Sequence, residues 1–128
     1  MKLLLDTHAL LWFLADDSRL SATAKATIRD PTNERCLSPI SLLEIAVKVS
    51  INKLKLPAPF AAMFPMQLTL NHILLLAIEA RHTAEVTTLP LHHRDPFNRL
   101  LAATAIVERL TLVSIDPAFD AYGLTRLW

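Results

Sequence analysis

Two apolar runs in this chain end on an aspartate: Leu3-Leu4-Leu5-Asp6 near one terminus and Leu112-Val113-Ser114-Ile115-Asp116 near the other. A carboxylate just beyond the C-terminal end of a buried strand stands where open α/β sheets place ligand-binding groups. Between the two lie Glu44 and the segment His93-Arg94-Asp95-Pro96-Phe97-Asn98, which carries a further acid. The chain has only 12 acidic residues. Gathering several in one place is costly, because two like charges ~4 Å apart repel by about 4 kcal/mol at an effective dielectric of 20. A divalent cation is the simplest reason to tolerate that. A pocket of hard oxygen donors suits Mg²⁺ or Mn²⁺ rather than zinc. The chemistry that needs it is in-line displacement at a phosphodiester, where a bound dication supplies an activated water and neutralises charge in the transition state.

Each acid also has a local explanation. Asp6 can cap a helix beginning near His8, and Asp95 and Asp116 each precede a proline, the N-cap and N1 pair that opens helices. Glu44 sits three residues after Ser41, the N3 position of a capping box. The joint case for a site is stronger than any single one, since all four fall where strands end or helices begin on one expected rim.

Positioning these groups takes a scaffold, and the composition bounds it. Of 128 residues 52% are hydrophobic and 20% charged, which gives a globular chain with a real core, expected to be one domain over residues 1–128. The single glycine, Gly123, excludes P-loops, dinucleotide fingerprints and the Gly-x-Ser-x-Gly elbow, each of which needs at least two. Five histidines include no His-Glu-x-x-His. A lone cysteine, Cys36, excludes an intramolecular disulfide and a multi-cysteine zinc cage and fits a reducing cytoplasm. Ile73–Ile78 is too short to span a bilayer and no basic-then-apolar leader opens the chain, so no membrane partner is expected. A net charge of +1 is uninformative about nucleic acid.

The patterning predicts strands at Lys2–Leu5, Cys36–Ser38, Ile73–Ile78 and Leu110–Ile115, with a short edge strand at Thr125–Trp128. Helices are expected at His8–Asp16, Ser21–Arg29, from the Ser41 capping box to about Ser50, from Pro57 to about Asn71 with a bend at Pro65, at Glu79–Thr88 and at Pro96–Arg109. Strands alternating with helices imply a parallel sheet covered on both faces, a three-layer α/β/α domain.

Met1–Phe13 (MKLLLDTHALLWF), Ser38–Lys48 (SPISLLEIAVK), Leu89–Ala105 (LPLHHRDPFNRLLAATA) and Thr111–Trp128 (TLVSIDPAFDAYGLTRLW) together resemble the PIN-domain ribonucleases called VapC toxins, over the full length and in the right order. The resemblance implies a PIN-like α/β/α domain, Mg²⁺- or Mn²⁺-dependent cleavage of RNA, homodimerisation, and inhibition by a cognate antitoxin. It also implies that Asp6, Glu44, an acid of the His-Arg-Asp-Pro-Phe segment and Asp116 form the metal site. One departure matters: this branch of the family normally reads Asp-Pro-Phe-Asp-Arg, and here the second aspartate is Asn98. With Asp95 as N-cap and Pro96 at N1, position 98 is N3, in the first turn and free to face the crevice. Asparagine keeps a carbonyl oxygen but loses a full charge, so metal binding weaker than in relatives is expected. Asp95 and Asn98 are both kept as candidate ligands.

Arg94 and Arg99 flank that segment and are candidates to hold RNA phosphates, an ion pair being the alternative for Arg99. Lys48, Lys53 and Lys55 read first as a solvated face and second as a phosphate track. His92-His93 has no nucleophile beside it and is expected to support its loop. Thr7 and Ser114 lie next to two of the acids, where they cap locally or orient a water. The helices around Leu10–Leu14 and Leu42–Val49 are apolar on more than one face, which suggests a partner. Two rivals remain. An aspartyl-phosphate route at Asp6 is disfavoured because His8 stands where such phosphatases carry a second aspartate. A catalytically silent PIN domain, binding RNA or protein only, is motivated by Asn98.

Overall fold

The structure, a computed structural model, describes residues 1–128. Five strands, β1 (Lys2–Leu5), β2 (Glu34–Leu37), β3 (Ile73–Leu75), β4 (Thr111–Val113) and β5 (Arg126–Leu127), form one sheet in the order β3-β2-β1-β4-β5. All four pairings are parallel. The chain builds outward from β1 to β3, then returns to the other side of β1 for β4. That reversal puts a crevice at the carboxyl ends of β1 and β4, where open sheets of this kind bind ligands.

The central strand shows why both faces are covered. Leu3 and Leu5 lie in one apolar cluster and Leu4 in another, as the two-residue period of a strand requires, and all three are fully buried. The first cluster is closed by Ala9 and Leu10 of α1 (Thr7–Leu14), Ala24 and Ile28 of α2 (Ala22–Arg29) and Ile45 of α3 (Pro39–Ser50). Met63 of α4 (Phe60–Met63) and Leu68 of α5 (Met66–Leu70) complete it. Against the second pack Leu101, Ala102 and Ala105 of α7 (Pro96–Glu108), with α6 (Ala80–Val86) lying on α7. The result is the expected three-layer α/β/α architecture. At the α6–α7 contact the backbone N–H of Glu79 donates to Nδ1 of buried His82 (3.0 Å), leaving Nε2 to donate to Glu108 (2.7 Å).

Three differences from the sequence reading have clear causes. Helix α3 starts at Pro39, with Ser38 as N-cap accepting from the Ile40 N–H, so no capping box opens at Ser41. An N-cap serine followed by proline at N1 is the stronger start signal. The expected helix from Pro57 to Asn71 is two short ones, because Phe64, preceding a proline, is held extended at φ −121°, ψ 130°. Residues Pro117–Tyr122 form a 3₁₀ helix that the apolar pattern did not signal. The other ends shift by no more than three residues, mostly inward, while β2 begins two residues earlier, at Glu34, and α1 one earlier, at Thr7.

Candidate active site

Asp6, at the end of β1, is the N-cap of α1: its Oδ1 accepts from the Ala9 N–H at 2.7 Å. Asp116 follows β4 and caps the 3₁₀ helix through the Ala118 N–H at 2.9 Å. Asp95 caps α7 through the Phe97 N–H at 2.9 Å, with Pro96 at N1 and Asn98 therefore at N3. The local explanations for the three aspartates are thus correct, and so is their gathering. Asp6, Glu44, Asp95, Asn98 and Asp116 all line one pocket of about 180 Å³ at the crevice. Capping explains one oxygen of each aspartate. The convergence is decided by the sheet order.

Glu44 is freed by the earlier start of α3. It stands in the second helical turn instead of at N3, so its carboxylate faces the pocket. There it accepts from the Thr7 hydroxyl (3.3 Å) and pairs with Lys48 at 3.7 Å. Ser114, fully buried, accepts the Asp116 N–H at 3.1 Å, and its hydroxyl favours the charged form of Asp6. Thr7 therefore holds one of the acids directly, and Ser114 caps the backbone of another.

The electrostatics differ across the pocket. Burial pushes the Asp6 carboxyl above its ordinary value, against hydrogen bonds from Ser114 and the Ala9 N–H, and Glu44 adds to the rise. Asp116 is also desolvated, but bonds from His93 and the Ala118 N–H prevail and hold it below the usual carboxylate range. The two shifts thus have different causes: burial dominates at Asp6, while hydrogen-bond donors and nearby positive charge prevail at Asp116.

His93 corrects the expectation of a loop support. Its Nε2 lies 2.8 Å from Asp116 Oδ2 and its Nδ1 2.8 Å from the Tyr122 hydroxyl, and its ring stacks with Tyr122, 14° from parallel. With the tyrosine donating to Nδ1, Nε2–H donates to the carboxylate. The Asp116-to-Tyr122 spacing that builds this relay becomes visible only with the 3₁₀ helix. Arg99 is also corrected. Its guanidinium donates to the carbonyls of Val86, Leu89 and Pro90 at 3.1–3.3 Å, so it clamps the loop before α7 and neither pairs with an acid nor faces the pocket. Arg94 is exposed and does not line the pocket.

The donor set, four carboxylates and one amide oxygen, fits a hard dication. No three histidine, cysteine, aspartate or glutamate side chains stand close enough to cage an ion by themselves. Magnesium does not require that, since it keeps several waters and is usually bound through one or two carboxylates.

The PIN domain family profile matches residues 3–124. Ribonuclease VapC22 of Mycobacterium tuberculosis is 31% identical over 114 residues, covering 88% of this chain and 85% of that protein. Among solved structures, VapBC2 from Rickettsia felis, bound to a promoter DNA fragment, superposes with a TM-score of 0.71 at 17% identity over 99% of this chain and 98% of its own. A toxin–antitoxin complex from Klebsiella pneumoniae gives 0.63 at 19% identity over 98% and 95%. Topology, profile and sequence identity agree: the chain belongs to the PIN-domain family.

Proposed function

We propose that this chain is a metal-dependent endoribonuclease of the VapC type, the toxin of a toxin–antitoxin pair, acting in the cytoplasm as one PIN-like domain over residues 1–128. The observation that carries this is the pocket shared by Asp6, Glu44, Asp95, Asn98 and Asp116 at the turn-round of a parallel sheet. The 31% identity to a named ribonuclease supports the substrate class, and the likeness to VapBC assemblies supports an antitoxin partner.

Bound Mg²⁺ or Mn²⁺ would supply an activated water and neutralise charge as the phosphodiester is attacked. Asp6 and Asp116 would hold the ion, Glu44 would bind it or orient the attacking water, and Asp95 and Asn98 would complete the donor set. Thr7 holds the Glu44 carboxylate, and Ser114 holds the Asp116 backbone. His93 fixes Asp116, leaving its remaining lone pairs directed. Partners that hold a ligating carboxylate typically change metal affinity 10–100-fold when removed. Replacing His93 by leucine is accordingly expected to weaken Mn²⁺ binding, followed by titration calorimetry, by about 10-fold or more. Unchanged affinity would show that Asp116 needs no such support.

The test of the reading itself is cleavage of RNA with Mn²⁺ against EDTA, with Asp6→Asn as control. Cleavage that ignores EDTA and survives the substitution overturns it. A second reading, a silent domain that binds RNA or protein only, draws on Asn98 and on the lack of a ready cage. It predicts RNA binding without products in every arm of that assay.

A homodimer is proposed through α3. Leu43, Val47 and Ile51 recur at four-residue spacing and are 50%, 42% and 53% exposed, an apolar stripe with no partner in the monomer. A glutamate at Val47 is expected to shift the protein to monomer in light scattering. A variant that elutes with the mass of the wild type rules this face out.

A further inference from the structure

A second groove, of about 360 Å³, opens beside the acidic pocket, and His8 and Lys48 line both. Its shape follows from how α3 ends. The chain turns at Asn52, in the left-handed region at φ 57°, and the N–H groups of Lys53 and Leu54 both close on the Lys48 carbonyl at 2.8 and 3.2 Å. The segment then alternates. Leu54 and Leu56 pack against the core cluster, while Lys53 and Lys55 stay exposed on the groove's rim. Two residues along a chain span at most about 7 Å between Cα atoms, so two flexible lysine side chains starting there can reach successive phosphates of a single strand.

The charge balance of the rim is one-sided. Lys48 is shared with Glu44, but neither Lys53 nor Lys55 has a carboxylate within the 4.0 Å of an ion pair. The only acid on the groove, Asp17, is held by Arg19 through two bonds at 3.1 and 2.7 Å. The floor is apolar, with Leu11 beside the two leucines, and at its side the Arg19 guanidinium lies over the Trp12 ring, 5.0 Å from its centroid. Unpaired cations over an apolar floor suit a single-stranded nucleic acid, with charge for the backbone and aliphatic contact for bases and riboses.

We propose that this groove holds the nucleotides flanking the bond cleaved in the acidic pocket, with Lys53 and Lys55 on successive phosphates of a single-stranded RNA and Lys48 bridging groove and pocket. The assignment rests on the ribonuclease reading for its substrate. Continuity with the pocket and two adjacent unpaired lysines favour RNA over a peptide, which would need acids spaced to match.

The experiment is a salt series of RNA affinity, read by fluorescence anisotropy on a mixed-sequence single-stranded RNA in EDTA, for wild type and Lys53→Ala/Lys55→Ala. Each lost phosphate contact on a single strand changes the slope of log affinity against log salt by about 0.7, so the double variant is expected to be shallower by about 1.4 and weaker at low salt. Lys53→Arg/Lys55→Arg should restore both, and the melting temperatures should match because the residues are exposed. An unchanged slope, or a wild type with no salt-dependent RNA binding, overturns the proposal. So does a double variant that binds RNA normally but loses its antitoxin, which would make the groove a peptide site. Failure of the ribonuclease reading is seen separately, as wild-type protein that cleaves no RNA with Mn²⁺.

Discussion

Asp6→Asn lowers RNA cleavage more than a hundredfold at neutral pH and leaves the melting temperature equal to or above that of the wild type. The loss follows from removing a charged ligand from a site whose transition state is stabilised by a cation: about 3 kcal/mol of lost stabilisation is more than a hundredfold in rate. The preserved stability follows from the geometry. Asparagine caps helices as well as aspartate does, so its carbonyl still accepts the Ala9 N–H that Asp6 accepts at 2.7 Å. The substitution also removes a charge that the pocket resists. Because burial raises the Asp6 carboxyl above 3.8, the folded protein holds that proton more tightly than the unfolded chain. Stability contributed by Asp6 is therefore full below its unfolded value and falls as pH rises through the folded value. The variant should gain on the wild type as pH is raised from acid to neutral, and the two curves should converge in acid. Calorimetric scans across that range, paired with product formation from a labelled RNA, read both effects. A variant that keeps its activity, or that melts well below the wild type at neutral pH, would remove Asp6 from the proposed site and restrict it to capping.

Asn98→Asp should act in the opposite direction. Position 98 is N3 of α7 and lines the acidic pocket. A carboxylate there adds a full charge toward the dication, and the helix N-terminus favours it by a further 0.3–1 kcal/mol or so. Mn²⁺ affinity is expected to rise about tenfold or more, since a gain of about 1.4 kcal/mol suffices for that, with cleavage at limiting metal rising in parallel. The metal-free variant should melt no higher than the wild type, because the added charge faces Glu44 and Asp116, and saturating Mn²⁺ should reverse the order. That crossing of the two melting curves is the diagnostic result. No gain in affinity and none in cleavage would mean that Asn98 does not weaken the site and that its amide serves another purpose.

Some of this was legible before any coordinates. Apolar runs that stop at Asp6 and Asp116 marked strand ends, and strands alternating with helices implied a parallel sheet with both faces covered, which is the architecture found. Asp95-Pro96 gave the start of α7 and hence the place of Asn98. Glu44 lines the pocket as expected, and the local alternative weighed for it falls away, since no capping box opens at Ser41 and Ser38-Pro39 starts the helix. His93 was misread because a residue in a loop has no periodicity to fix its direction, and Arg99, in the first turn of α7, because its targets are carbonyls of the preceding loop that local patterning does not place. One turned out to hold Asp116 and the other to clamp backbone carbonyls.

The amino-acid sequence by itself determined the local elements, their caps and the types of donor available, because propensity, patterning and capping act over a few residues. Whether the acids met was decided only by the order β3-β2-β1-β4-β5, which brings Asp6 and Asp116 to adjacent strand ends from opposite termini. The same packing turned Lys53 and Lys55 toward a groove beside that pocket. Contacts between side chains far apart in the chain depend on how the layers close over the sheet, and local patterning does not carry that information.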